Sequence, residues 1–281
     1  MMGTDLYGVI FGVASAVTWG AADFCGGWAT RRSQVFAVLF VSQVIGSLFL
    51  LVPVLLGQEA LPITGDLLWG ALGGVCGFVG ITAFYIGLAR GKMGVVAPIS
   101  AVLNAGLPVL VGAMLEGLPP VEKYFGFALG LLSIWWVSRV ADGPALRKQE
   151  LVLPVVAGMG FGCFFICLDQ AAENAVFWPL IAARTASLGL LLVASVVMGK
   201  NILPAKKRLP LIVLAGVLDT GGNLLYMLAA RAGRLDVAAV LASLYPAATL
   251  LLARFVLHEH FSRLQLVGIL AALSAVLLIA V

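Results

Sequence analysis

Charge is scarce in this sequence. Asp, Glu, Lys and Arg together make up 11% of its 281 residues, against about 25% in soluble domains. So few ionisable groups cannot clothe a soluble fold of this length. With 62% hydrophobic residues and a mean hydropathy of +1.10, the chain reads as an integral membrane protein. Histidine is nearly absent, with two in the whole chain. Both fall in His258-Glu259-His260 at a helix end, a spacing unlike the i, i+4 pair of a zinc-protease helix. A phosphate loop, a nucleophile elbow and a soluble nucleotide domain are also missing, so no cofactor is expected and work would draw on an ion or substrate gradient. The four cysteines, Cys25, Cys76, Cys163 and Cys167, all lie in apolar runs. Cys163 and Cys167 share a helix face, but without another ligand type they read as small core hydrophobes rather than a metal site or a disulfide framework. No basic residue precedes the first apolar segment, which is expected to be a retained span and not a cleaved signal.

What the chain has is long apolar runs. A spanning helix needs about 20 apolar residues, and that template predicts ten spans, at 6–29, 35–57, 67–89, 94–115, 121–141, 151–172, 176–198, 209–230, 235–257 and 262–280. The runs are continuous, without the alternation of membrane strands, so the expected fold is an all-α integral membrane protein with ten transmembrane helices. The polar connection at Asp142–Glu150 divides it into two five-span repeats, 1–145 and 146–281. Ordered correspondences support the division: Gly12 and Asp23 with Gly158 and Asp169, Tyr85…Arg90 with Tyr226…Arg231, and Glu116…Gly126 with Glu259…Gly268. An odd number of spans per repeat turns the halves upside down relative to one another, the inverted-repeat plan of many secondary transporters. Basic residues such as Arg31, Arg32, Arg90, Lys206, Lys207 and Arg208 fall on odd-numbered loops, while even-numbered loops carry only Lys123, Arg231 and Arg234. This asymmetry places the odd loops in the cytoplasm and both termini outside. Basic clusters of this kind flank membrane helices, and nucleic acid is not an expected partner.

Polar groups inside apolar runs are costly and mark candidate sites. Asp219, Asn223 and Tyr226 follow i, i+4, i+7 on the eighth span, near the expected midplane. Asp23 and Asp169 lie nearer their helix ends and read as equivalent positions in two gates, with Trp19 sharing a face with Asp23. Arg184 is the one basic residue deep in a segment and is best explained by charge pairing within the bundle. Tyr85 and Tyr245 supply aromatic rings that suit a cationic or aromatic ligand. Asn104 lies between Pro98 and Pro108, and Ser243-Leu244-Tyr245-Pro246 puts a second proline in a span, both plausible hinges or site-lining breaks.

These residues resemble the EamA family of the drug/metabolite transporter superfamily. The resemblance rests on Trp19-Gly20, the third and eighth spans ending in Ala-Arg, and Ser243-Leu244-Tyr245-Pro246 ahead of Glu259 and Gly268. It covers the whole chain as two repeats and is clearest from Ala238 to Ala280. The first half departs from it, with Leu103 where the second has Pro246, and with Gln43 at the depth of Arg184. Resemblance implies ten helices, alternating access and a cavity lined mainly by spans 1, 3, 4, 6, 8 and 9. It also implies cytoplasmic termini, opposite to the loop charges.

Together these readings predict a secondary active transporter in the inner membrane, exporting a small metabolite such as an amino acid or amine. Coupling to protons or another gradient is expected. Asp219, Asn223, Tyr226, Trp19, Asp23, Tyr85, Asn104 and Tyr245 would contact substrate, and Asp169 and Arg184 would serve gating or charge pairing. The expected partners are the substrate, the lipid bilayer and protons, and the sequence is compatible with a homodimer. The alternative is a membrane-embedded enzyme acting on a lipid-linked substrate.

Overall fold

The computed structural model describes residues 2–57, 59, 62–90, 93–116, 121–138, 148–171, 177–204, 206–232 and 244–280. Ten α-helices lie among the described residues: α1 (Met2–Thr30), α2 (Val35–Leu55), α3 (Thr64–Arg90), α4 (Met93–Glu116), α5 (Val121–Ser138), α6 (Lys148–Ala171), α7 (Phe177–Val197), α8 (Leu209–Ala232), α9 (Tyr245–Val256) and α10 (Arg263–Ala280). Each of the ten predicted segments overlaps one of them. Helix is the economical form for such runs, because it satisfies every backbone polar group within the segment where no water is available.

Six of these helices, α1, α2, α3, α6, α7 and α8, contain stretches long and apolar enough to cross a membrane. In α4, α9 and α10 the described apolar stretches are shorter, at Val95–Asn104, Tyr245–Val256 and Leu266–Ala275. Large apolar side chains such as Val193, Val196, Leu251, Phe255 and Leu270 stand exposed on the outside of the bundle. A soluble protein would aggregate through such a surface, whereas lipid solvates it. The molecule is a multi-pass, all-α membrane protein.

Close helix contact depends on small residues, because lipid supplies little hydrophobic drive between helices. On α3 the two glycine pairs legible in the sequence serve different neighbours. Gly70 and Gly74 abut the backbone of Pro179 and Ala183 on α7, while Gly73 and Gly77 face Phe164 on α6.

Contacts of this kind also give the helix directions. Ser15 meets Gly222 and Trp19 meets Asp219, so α1 and α8 are antiparallel. Ser42 abuts Gly216 and Gly46 abuts Thr220, so α2 runs parallel to α8. α3 runs parallel to α7 and antiparallel to α6, with Gly73 beside Cys167 and Gly80 beside Phe161. α4 runs parallel to α6, with Ser100 on Pro154 and Leu107 on Gly162. Gly26 packs on Tyr85 and Gly27 on Leu88, which sets α1 parallel to α3. Thus α1, α3 and α7 point one way, and α2, α4, α6 and α8 the other.

The main packed pairs come in matched sets: α1 with α8 and α3 with α6, α2 with α8 and α3 with α7, α1 with α9 and α4 with α6. Each set exchanges when five is added to or subtracted from the helix number. The main apolar core fills one end of the bundle, where Ala29, Phe36, Leu88, Met93, Ile212 and Ala253 meet. At the other end Glu59 Oε2 accepts the backbone N–H groups of Phe177 and Trp178, at 2.8 and 3.0 Å. A carboxylate there satisfies otherwise unpaired donors at the start of α7 and complements its dipole.

Candidate functional site

Between the helices of the two halves lies a cavity of about 170 Å³. α1 contributes Trp19 and Asp23, α3 Tyr85, α4 Asn104, α8 Asp219 and Asn223, and α9 Tyr245. Phe161, Phe164 and Phe165 of α6 form an apolar wall. Two further helices line it that the resemblance did not emphasise: α2 brings Ser42 and Gln43, and α7 brings Arg184 and Ser187.

The centre of the site is an ion pair between Arg184 Nη2 and Asp219 Oδ2. The same nitrogen reaches Thr220 Oγ1 at 3.4 Å, and that hydroxyl donates to the Gly216 carbonyl at 3.0 Å. The guanidinium fits because Gly46 on α2 leaves room for it: a Cβ there would collide with Arg184 and with Thr220 Oγ1. The Asp219 backbone carbonyl accepts two donors, Trp19 Nε1 at 3.2 Å and Asn223 Nδ2 at 2.7 Å. Asn223 is thereby held against its own helix, and Trp19 ties α1 to α8. A second polar link crosses the cavity wall where Gln43 Nε2 donates to Ser187 Oγ at 2.8 Å.

Tyr226 has a different position from Asp219 and Asn223. Its ring packs on Trp19, with centroids 5.8 Å apart and planes inclined by 31°, so it supports the cavity wall instead of lining it. Asp23 is the other departure. Its place nearer the helix end reads as a gate, but it lines the same cavity as Asp219. Gly20, one turn earlier, packs against the Tyr245 carbonyl at the first described turn of α9, and Thr249 Oγ1 donates to the Gly20 carbonyl at 3.1 Å. That contact sets α1 so that Asp23 and Trp19 face inward. Pro246 sits in the first turn of α9, where no backbone donor is needed; residues 233–243 lie outside the described residues, as does the Asp169 side chain.

The ion pairs among the described residues are Arg31 with Glu259 and Arg184 with Asp219, so Asp23 meets no guanidinium or ammonium there, and Asn104 Oδ1 is buried without a partner. Among the described residues the cavity therefore holds two carboxylates and one guanidinium, and the guanidinium is paired with Asp219. The wall residues not singled out from sequence, Ser42, Ser187 and the α6 phenylalanines, carry weak signals individually, as does Thr220 behind Arg184. Gln43 was legible only as the first-half residue at the depth of Arg184.

The sequence matches the EamA-like transporter family twice, over residues 6–139 and 149–281. A search of curated proteins found no match. A solved crystal structure of a protein 16% identical in sequence superposes with a TM-score of 0.67, over 96% of this chain and 95% of the other, a likeness of fold. With both halves matched, the chain belongs to the EamA-like transporter family.

Proposed function

We propose that this protein is a secondary active transporter of the inner membrane that exports a small zwitterionic or amine metabolite, coupled to protons or another gradient. Its ten helices would all span, as two inverted five-helix repeats. The opposed directions of α1 and α6, α2 and α7, and α3 and α8 support that arrangement, as does the exchange of packed pairs between the halves. Substrate would reach the cavity from each face in turn as the repeats rock about it.

The observation that carries the substrate class is the Asp23 carboxylate, without an ion pair among the described residues, in a wall with Trp19, Tyr85 and Tyr245. A cation placed there gains from the carboxylate and from the aromatic faces. Asn104 Oδ1 is an acceptor for an additional N–H. A substrate carboxylate would compete with Asp219 for Arg184, whose planar fork suits such groups. The cavity volume of about 170 Å³ lies below the roughly 300 Å³ lower bound of drug-sized pockets, which favours a small solute. No observation favours catalysis on a lipid-linked substrate.

Efflux of a radiolabelled panel of amino acids and amines from proteoliposomes, with and without a pH gradient, tests the proposal. Gradient-stimulated movement of an amine-bearing solute is expected. A panel in which only neutral or anionic solutes move would overturn the substrate assignment, and no flux of any solute would remove the transport reading.

A further inference from the structure

At the end of the bundle where α1 finishes and α2 begins, Arg31 Nη2 and Glu259 Oε1 form an ion pair at 2.7 Å. The two residues lie 228 positions apart. Arg31 belongs to the first family match and Glu259 to the second, so the pair joins the two halves across their seam.

Glu259 is presented by a built turn, not a loose loop. His258 takes a left-handed conformation (φ 55°), which reverses the chain after α9. The Glu259 N–H then donates to the Ala253 carbonyl at 3.2 Å, and its own carbonyl accepts Arg254 Nη1 at 3.1 Å. The carboxylate is mostly buried, with its side chain 12% exposed, and Oε2 has no partner. A second link joins the halves at the same end, where the Asn201 N–H donates to Gln34 Oε1 at 3.1 Å.

Directly inside this layer lies the main apolar core. Ala29 and Phe36 from the first half meet Ile212 and Ala253 from the second, each buried. Leu39 belongs both to that core and to the cavity lining. The order from outside inward is therefore ion pair, apolar plug, cavity.

We propose that Arg31 and Glu259 are the lock of a gate at this end, holding the plug shut over the cavity. The proposal rests on the transporter reading, since the halves must part here for the cavity to open to this face. An ion pair suits that task. When the halves separate, both charges are rehydrated at little cost, so the lock biases the closed state without making it permanent. An apolar plug alone would expose its whole surface at each opening, with no polar contact to set the closed register. Pairs of this exposure shift an equilibrium by about five-fold.

The test reads access, not flux, so that its failure is distinct from failure of the transport reading. The four native cysteines are replaced by alanine and Asn223→Cys is introduced on the cavity wall. Labelling by a membrane-impermeant thiosulfonate is followed in sealed vesicles presenting the Arg31 face. Arg31→Glu and Glu259→Gln should each raise the labelling rate about five-fold. Arg31→Glu with Glu259→Arg should return it to the parent rate, which also controls for misfolding. Equal rates in the parent and both single variants would overturn the lock, as would failure of the exchanged pair to restore closure.

Discussion

Arg184 and Asp219, 35 residues apart on α7 and α8, form an ion pair inside the cavity. Each would be costly alone in an apolar segment, and each removes most of the other's cost. Arg184→Ala should therefore destabilise the protein by about 2–3 kcal/mol, less than the 3–5 kcal/mol of a fully buried pair, because the Asp219 side chain is 38% exposed to the cavity. Combining it with Asp219→Asn should recover most of that loss, measured by thermal unfolding in detergent. Additive losses in the double variant would show that the pair is energetically idle.

Gly46 makes the niche for that guanidinium. Gly46→Ala should displace Arg184 and lower stability by about 1–3 kcal/mol, the usual cost of overpacking. Gly189 on α7 has open space where a Cβ would go. Gly189→Ala should be neutral or stabilising by up to about 1 kcal/mol. The two variants compared by unfolding temperature separate a packing niche from a general intolerance of alanine.

Asp23 should behave differently from Asp219. With no ion pair to Asp23 among the described residues, Asp23→Asn should leave the unfolding temperature nearly unchanged. It should weaken binding of an amine-bearing solute by about ten-fold, the smaller end of a lost charge-assisted hydrogen bond. Ligand-induced thermal shift against a panel of amino acids and amines is the measurement. An unaltered ligand response would remove Asp23 from the site.

Gln43 and Ser187 link α2 to α7 through one buried hydrogen bond. A double-mutant cycle of Gln43→Ala and Ser187→Ala should give a coupling of about 1 kcal/mol in stability. A coupling near zero would mean that the two side chains act independently.

The sequence by itself determined the helices. Hydropathy is a property of consecutive residues, so 67–89 anticipated Thr64–Arg90 and 209–230 anticipated Leu209–Ala232. It also carried the two repeats, because paired motifs such as Tyr85…Arg90 and Tyr226…Arg231 are written in the chain itself. Costly polar residues in apolar runs marked Asp219, Arg184, Asp23 and Asn104 as worth attention for the same local reason.

Only the tertiary structure decided which of these residues meet. Helical periodicity put Tyr226 on the face of Asp219, but that face is divided between the cavity and α1, and the ring goes to Trp19. A place near the helix end put Asp23 at a gate, but depth depends on how α1 is seated, and Gly20 against Tyr245 turns Asp23 into the cavity. The pairing of Arg184 with Asp219, the niche at Gly46 and the ion pair of Arg31 with Glu259 all join separate helices or connections. Such contacts arise from packing, which no local pattern in a single sequence encodes.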